Sequence, residues 1–299
     1  MQSLRSALGV FLTVLAFADA PTGTAKTLRV IASFTVLADV VQQVGGSHVQ
    51  VTSLVPPNGD PHQFEPSPQD AESLRNADVT FISGEGLERW FERLVNASGY
   101  QGSPVVASTG IVLRQRERRG QFSDDPHVWN SPANVQVWIT NIERALSIAD
   151  PADEPDFEAS AARYAKELRD LDAETRARIA SIPSARRKIL TSHDAFGYFG
   201  RDYGIEFLSP LGLSTETEAS AADVAKLIDQ VRLENVKVYF IETSNDPRLV
   251  QQIAAATGAR LGGKLYAEAL SPADGPAPTY LQMFRHNVDE LIDAMSAGG

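Results

Sequence analysis

The sequence has no cysteine among its 299 residues, so disulfides do not hold the domain together and no lipid-bearing cysteine is present to tether it. It is also short of basic charge. Lys and Arg total 27 against 38 Asp and Glu, a net charge of −11. Nucleic acid is therefore a poor partner, because phosphate binding requires a basic patch, whereas a cationic cargo suits such a chain. Long hydrophobic runs are missing too. Ala7 to Ala18 is apolar but too short for a bilayer span, which needs about 20 residues. Arg5 before it and Ala18-Asp19-Ala20 after it make residues 1–20 read as a signal peptide, with Gly23-Thr24-Ala25 a second cleavage point. The expectation is an exported protein, soluble in the periplasm, with no membrane anchor, in preference to one that keeps a buried N-terminal helix.

What is present alternates between short β-branched runs and helical patterns, the mark of parallel α/β units. Leu28–Ala32, Val49–Val55, Val79–Ser83 and Val105–Ala107 read as strands of a first lobe. Lys188–Thr191, Glu206–Leu208, Val236–Ile241 and Arg260–Leu265 read as strands of a second. Helical stretches include Leu37–Val44, Gln69–Ala77 and Ala221–Val231, and Ser67-Pro68-Gln69-Asp70 is a helix start with Ser as cap. Between the lobes, residues 156–181 hold neither Gly nor Pro. Phe157, Ala161, Tyr164, Leu168, Leu171, Thr175 and Ile179 recur there every three or four residues, one face of a single long helix. The fold class is α/β: two pseudo-symmetric lobes (26–150 and 183–299), each with a mainly parallel four-stranded sheet flanked by helices, joined by a backbone helix within 151–182.

Three of the five histidines share a context. His62 lies in a Pro- and Gly-rich loop after a strand, His127 in Asp125-Pro126-His127-Val128-Trp129 before a helix, and His193 at the end of the second lobe's first strand. The carboxyl ends of strands in open parallel sheets form the ligand crevice, which directs all three to one cleft. Imidazole is a good zinc ligand, and a carboxylate can orient it through its other nitrogen; Asp60, Asp125 and Asp194 are the neighbours able to do so. A loop histidine on its own is more often a surface or capping residue. His48, at the wrong end of its strand, and His286, in the terminal helix Tyr280–Met295, are expected to be structural. The Arg114–Arg119 stretch reads as a solvated loop, with docking as its alternative.

Gly59-Asp60-Pro61-His62, Asp125-Pro126-His127-Val128-Trp129 and Ser192-His193-Asp194-Ala195-Phe196 together resemble the solute-binding proteins of zinc and manganese ABC importers, in particular the zinc-specific branch (cluster A-I), over essentially the whole mature chain. The resemblance implies metal held between the lobes by His62, His127, His193 and a carboxylate in the Tyr266–Leu270 segment. There Glu268 stands where the family usually has Asp; Glu242 and Asp274 compete for that role. It implies Zn²⁺ as transported ligand, an inner-membrane ABC permease as partner with a periplasmic metallochaperone as a further candidate, and a monomer that is not an enzyme. Manganese and iron members resemble a set of two histidines and two carboxylates, suited to harder ions. The His-rich loop of many zinc members is missing, since residues 84–125 contain no histidine. A zinc hydrolase is the competing class, but no His-Glu-x-x-His occurs and four protein ligands would close the site. An adhesin role rests on the family alone.

Overall fold

The computed structural model describes residues 27–118 and 120–297; the expected signal peptide lies outside them. The first lobe is a parallel sheet of β1 (Leu28–Ala32), β2 (Val49–Ser53), β3 (Val79–Ile82) and β4 (Val105–Val106), ordered β2-β1-β3-β4. A short antiparallel hairpin, β5 (Gln115–Arg118) and β6 (Gln121–Asp124), follows. The second lobe holds β7 (Lys188–Leu190), β8 (Glu206–Leu208), β9 (Val238–Glu242) and β10 (Arg260–Leu265), ordered β10-β9-β7-β8 and again parallel. Taken from the other edge, that is the same winding as the first. In both lobes the order reverses between the first and third strands, the switch point where doubly wound sheets open a crevice.

Nine helices are described: α1 (Thr35–Gly45), α2 (Pro68–Arg75), α3 (Phe91–Ser98), α4 (Pro132–Ala149), α5 (Glu154–Ala180), α6 (Gly197–Tyr203), α7 (Ala221–Leu233), α8 (Arg248–Thr257) and α9 (Tyr280–Ser296). Ser67 caps α2 in a capping box with Asp70, as the local sequence predicts. The backbone helix is α5, whose 27 residues span about 40 Å at 1.5 Å each. All seven residues of its predicted apolar face are buried. It packs against α1, α4 and α9, so elements of both lobes share one continuous core. A smaller apolar cluster, with Leu190, Leu208, Leu227, Val231 and Val250, closes the outer side of the second sheet. Among the described residues no helix is long and apolar enough to cross a membrane.

One expectation is corrected. The Arg114–Arg119 stretch is exposed at Gln115–Glu117, as expected, but is not a loop: Gln115–Arg118 pairs with Gln121–Asp124, and Arg119 lies outside the described residues. Two of the arginines are paired, Arg114 with Asp125 at 2.8 Å and Arg116 with Asp194 at 2.8 Å. The strands carry almost no apolar alternation, so the periodicity that reveals strands is absent. Two ion pairs position the hairpin instead, Arg114 to Asp125 at its base and Arg116 to Asp194 across the lobes.

Candidate metal centre

His62, His127, His193 and Glu268 come together: each offers one ligand atom, and the four atoms lie within 4.8 Å of one another. His62 Nε2 is 3.2 Å from His127 Nε2 and 2.8 Å from Glu268 Oε1. His193 Nε2 is 3.3 Å from His127 Nε2 and 3.1 Å from Glu268 Oε1, and His127 Nε2 is 3.4 Å from that oxygen. A tetrahedron with metal–nitrogen bonds of about 2.0–2.1 Å has edges of roughly 3.3 Å. The spacing therefore fits one small cation between the four. His62 is 5% exposed; the other three are fully buried. Asp274, the competing carboxylate of the 272–278 loop, is exposed and outside the group.

Local chemistry aims each ring. In the first loop, Asp60 Oδ1 accepts the His62 backbone N–H at 2.8 Å, and Trp90 Nε1 donates to the Pro61 carbonyl at 2.8 Å. Asp125 Oδ1 accepts both the His127 backbone N–H at 3.1 Å and its ring Nδ1–H at 2.8 Å, while Arg114 holds the other carboxylate oxygen. Glu242 Oε2 accepts the Nδ1–H of His193, and its Oε1 accepts the N–H groups of Ser192 and His193. A neutral ring that donates from Nδ1 presents a lone pair at Nε2. Glu268 accepts from Ser244 Oγ at 3.2 Å through Oε2, leaving Oε1 to face the three nitrogens.

Of the three aspartates considered as ring partners, only Asp125 takes that role. Asp60 binds backbone and Thr215 Oγ1, and Asp194 pairs with Arg116, because both carboxylates point away from the imidazoles toward the opposite lobe. The partner of His193 is Glu242, which ends β9 beside β7 at the switch point. That position could have revealed it, since a strand end next to the one bearing His193 lies within reach of its ring.

Electrostatics follow from crowding three carboxylates and three imidazoles out of water. Burial favours neutral His193, but the adjacent Glu242 and Glu268 outweigh it and raise its pKa well above 6.5. For His127, burial acts the same way and the hydrogen bonds to Asp125 and Glu268 win, again raising the pKa. Burial would raise Glu268; the charges of His193 and His62 overcome that and hold it well below 4.5.

The lobes are also bonded across the crevice. Trp129 Nε1 donates to the Ala267 carbonyl at 2.8 Å, Asn130 Nδ2 to the Ala195 carbonyl at 3.0 Å, and Leu270 N–H to Thr35 Oγ1 at 2.8 Å. Away from the centre, His48 bridges Asp153 at 2.6 Å and Asp156 at 3.1 Å, each ring nitrogen facing a different carboxylate, and so ties the start of α5 to the loop before β2. His286 contacts the Lys264 carbonyl at 3.0 Å. Neither lies among the four converging donors, and His48, Asp153 and Asp156 form a separate, partly exposed group of possible metal donors.

The family model for zinc-uptake complex component A, periplasmic (ZnuA), matches residues 30–294. The chain is 33% identical over 271 residues to the iron-binding protein YfeA of Yersinia pestis, covering 91% of this chain and 87% of that protein. It is 33% identical over 279 residues to the manganese-binding lipoprotein MntA of Bacillus subtilis, covering 90% of each. Among solved structures, the periplasmic zinc-binding protein TroA of Treponema pallidum superposes with a TM-score of 0.84 at 29% identity, over 90% of this chain and 99% of that one. The manganese-bound S38A mutant of a periplasmic metal-binding protein from Candidatus Liberibacter asiaticus gives 0.83 at 28% identity, with the same coverage. With two lobes wound alike and divalent-metal donors gathered between them, the chain belongs to the ZnuA family, periplasmic metal-binding receptors of ABC importers and not enzymes.

Proposed function

We propose that this receptor is a zinc carrier: His62, His127, His193 and Glu268 hold one Zn²⁺ between the lobes, and an inner-membrane permease takes it up from there. The observation that carries the reading is the donor set, three Nε2 atoms and one carboxylate oxygen converging in a buried space. Three nitrogens and one oxygen suit tetrahedral zinc, whereas manganese and ferrous iron favour more oxygen donors. Relatives named for iron or manganese make those ions the second reading, and the buried third imidazole weighs against it. Two lobes (26–150 and 183–299) around a helix within 151–182, export by residues 1–20 and a soluble periplasmic monomer complete the proposal. Relatives named as lipoproteins carry a lipid for which this sequence has no cysteine. A metallochaperone is a further candidate partner.

Native mass spectrometry and competition titration test it. One zinc per chain is expected, undisturbed by manganese at comparable concentration. Displacement of zinc by manganese under those conditions overturns the assignment of the cargo.

A further inference from the structure

The four candidate ligands are not equivalent. The rings of His127 and His193 are each pinned through Nδ1 by a buried carboxylate, Asp125 and Glu242. Among the described contacts, none engages Nδ1 of His62; its loop is held through the His62 N–H, the Pro61 carbonyl and the Asp60 carboxylate, not through the ring. His62 is also the one ligand with residual exposure, and it alone of the four lines a cavity of about 560 Å³ that opens to solvent. Glu85 and Ser123 of the first lobe and Ser214 and Glu218 of the second border that cavity. A water takes about 30 Å³ of liquid volume, so the six first-shell waters of a divalent ion need roughly 180 Å³ and fit inside. On the opposite side the crevice is sealed by buried bonds, Trp129 to Ala267 and Leu270 to Thr35.

We infer that the cavity above His62 is the route by which metal enters and leaves, and that His62 is the exchangeable ligand. His127, His193 and Glu268 form a fixed three-donor cradle. Transfer begins when an outside donor, an imidazole or carboxylate of a carrier or chelator, reaches through the cavity and replaces His62: one metal–nitrogen bond breaks, one bond to the incoming donor forms, and His62 turns aside on its free Nδ1 side. Loading runs the same steps backwards. Glu85, Asp124 and Glu218 line the cavity beside Arg89 and Arg116, whose charges are met by Glu216 at 3.5 Å and Asp194 at 2.8 Å, so the lining favours an incoming cation. Of the nearby ties between the lobes, Arg89 to Glu216 is exposed and separates at little cost, and Thr215 Oγ1 to Asp60 at 2.6 Å is half-buried. The inference rests on the four-ligand reading given above.

The absence of native cysteine permits a direct test. Ser123→Cys and Ser214→Cys, each labelled with a bulky polyethylene-glycol maleimide, place an obstacle at the mouth. Leu233→Cys, 87% exposed at the end of α7, carries the same label remote from it. Zinc-loaded proteins are mixed with a small chelator in stopped flow. Labels at 123 and 214 are expected to slow extraction about tenfold relative to 233, some 1.4 kcal/mol of barrier. Extraction from unlabelled protein should accelerate as chelator concentration rises, as ligand replacement requires. Rates at 123 and 214 equal to that at 233, or extraction independent of chelator concentration, overturn the route. Failure of the four-ligand reading shows separately, at equilibrium, as wild-type zinc affinity in both His193→Ala and Glu268→Ala.

Discussion

At the scale of single residues, Glu242 changes standing most. The sequence places it as a competitor for the fourth ligand, yet its carboxylate is turned to Nδ1 of His193 and to two backbone amides, and it is 1% exposed. Partners of this kind fix ring orientation and ligand basicity, and removing one typically lowers metal affinity about 10–100-fold. Glu242→Gln is therefore expected to weaken zinc binding by that amount in a competition titration while leaving one zinc bound. Glu268→Ala removes a donor and should weaken binding while the three imidazoles still hold the ion with water in the fourth place. Wild-type affinity for Glu268→Ala alongside loss of binding in Glu242→Ala would reverse the two roles.

Among the elements, α5 has the clearest physical role. Leu168 is fully buried on the face that meets the shared core, so Leu168→Ala should lower stability by about 2–5 kcal/mol. Ser67→Ala deletes the cap of the short, largely exposed helix α2 and should cost about 1 kcal/mol. Denaturant titration of metal-free protein compares the two. A larger effect from the cap than from Leu168 would contradict the view that α5 is the common spine. The β5–β6 hairpin depends on pairing instead of burial. Arg116 joins it to Asp194, the residue after His193, across the lobe boundary.

For the whole molecule, protonation and metal compete for the same nitrogens. His127 and His193 have folded pKa values raised above 6.5, so the stability they give the metal-free protein is fully present below about pH 6.5 and is lost as pH rises through their folded values. Glu268, held low, contributes above about pH 4.5 and loses its contribution as pH falls through its folded value. Zinc needs the imidazoles unprotonated, so its affinity should fall on acidification from a pH already above 6.5, and binding near neutrality should release protons. Thermal unfolding with and without zinc between about pH 8 and pH 5 should show the melting gap closing toward acid. A gap constant over that range excludes imidazole ligands. Calorimetry in buffers of different ionisation enthalpy reads the released protons directly.

Sequence alone determined the periodic parts of this protein. Eight parallel strands, the capped start of α2 and all seven buried positions of α5 follow from local rules, alternation, capping chemistry and a 3.6-residue repeat, that need no distant neighbour. The three histidines were legible because each falls at a strand end or a helix entrance, where parallel sheets open; Glu268 was legible through the family motif. Tertiary structure decided what depends on residues far apart in the chain. Which carboxylate turns to which ring was settled by β9 lying next to β7, 49 positions away in sequence, so that Glu242 and not Asp194 meets His193. The hairpin at 115–124 has no apolar period to betray it, and Arg116 finds its partner Asp194 only once the lobes face each other. That His62 alone looks onto open space is likewise a property of the assembled crevice, because exposure is set by what the other lobe covers.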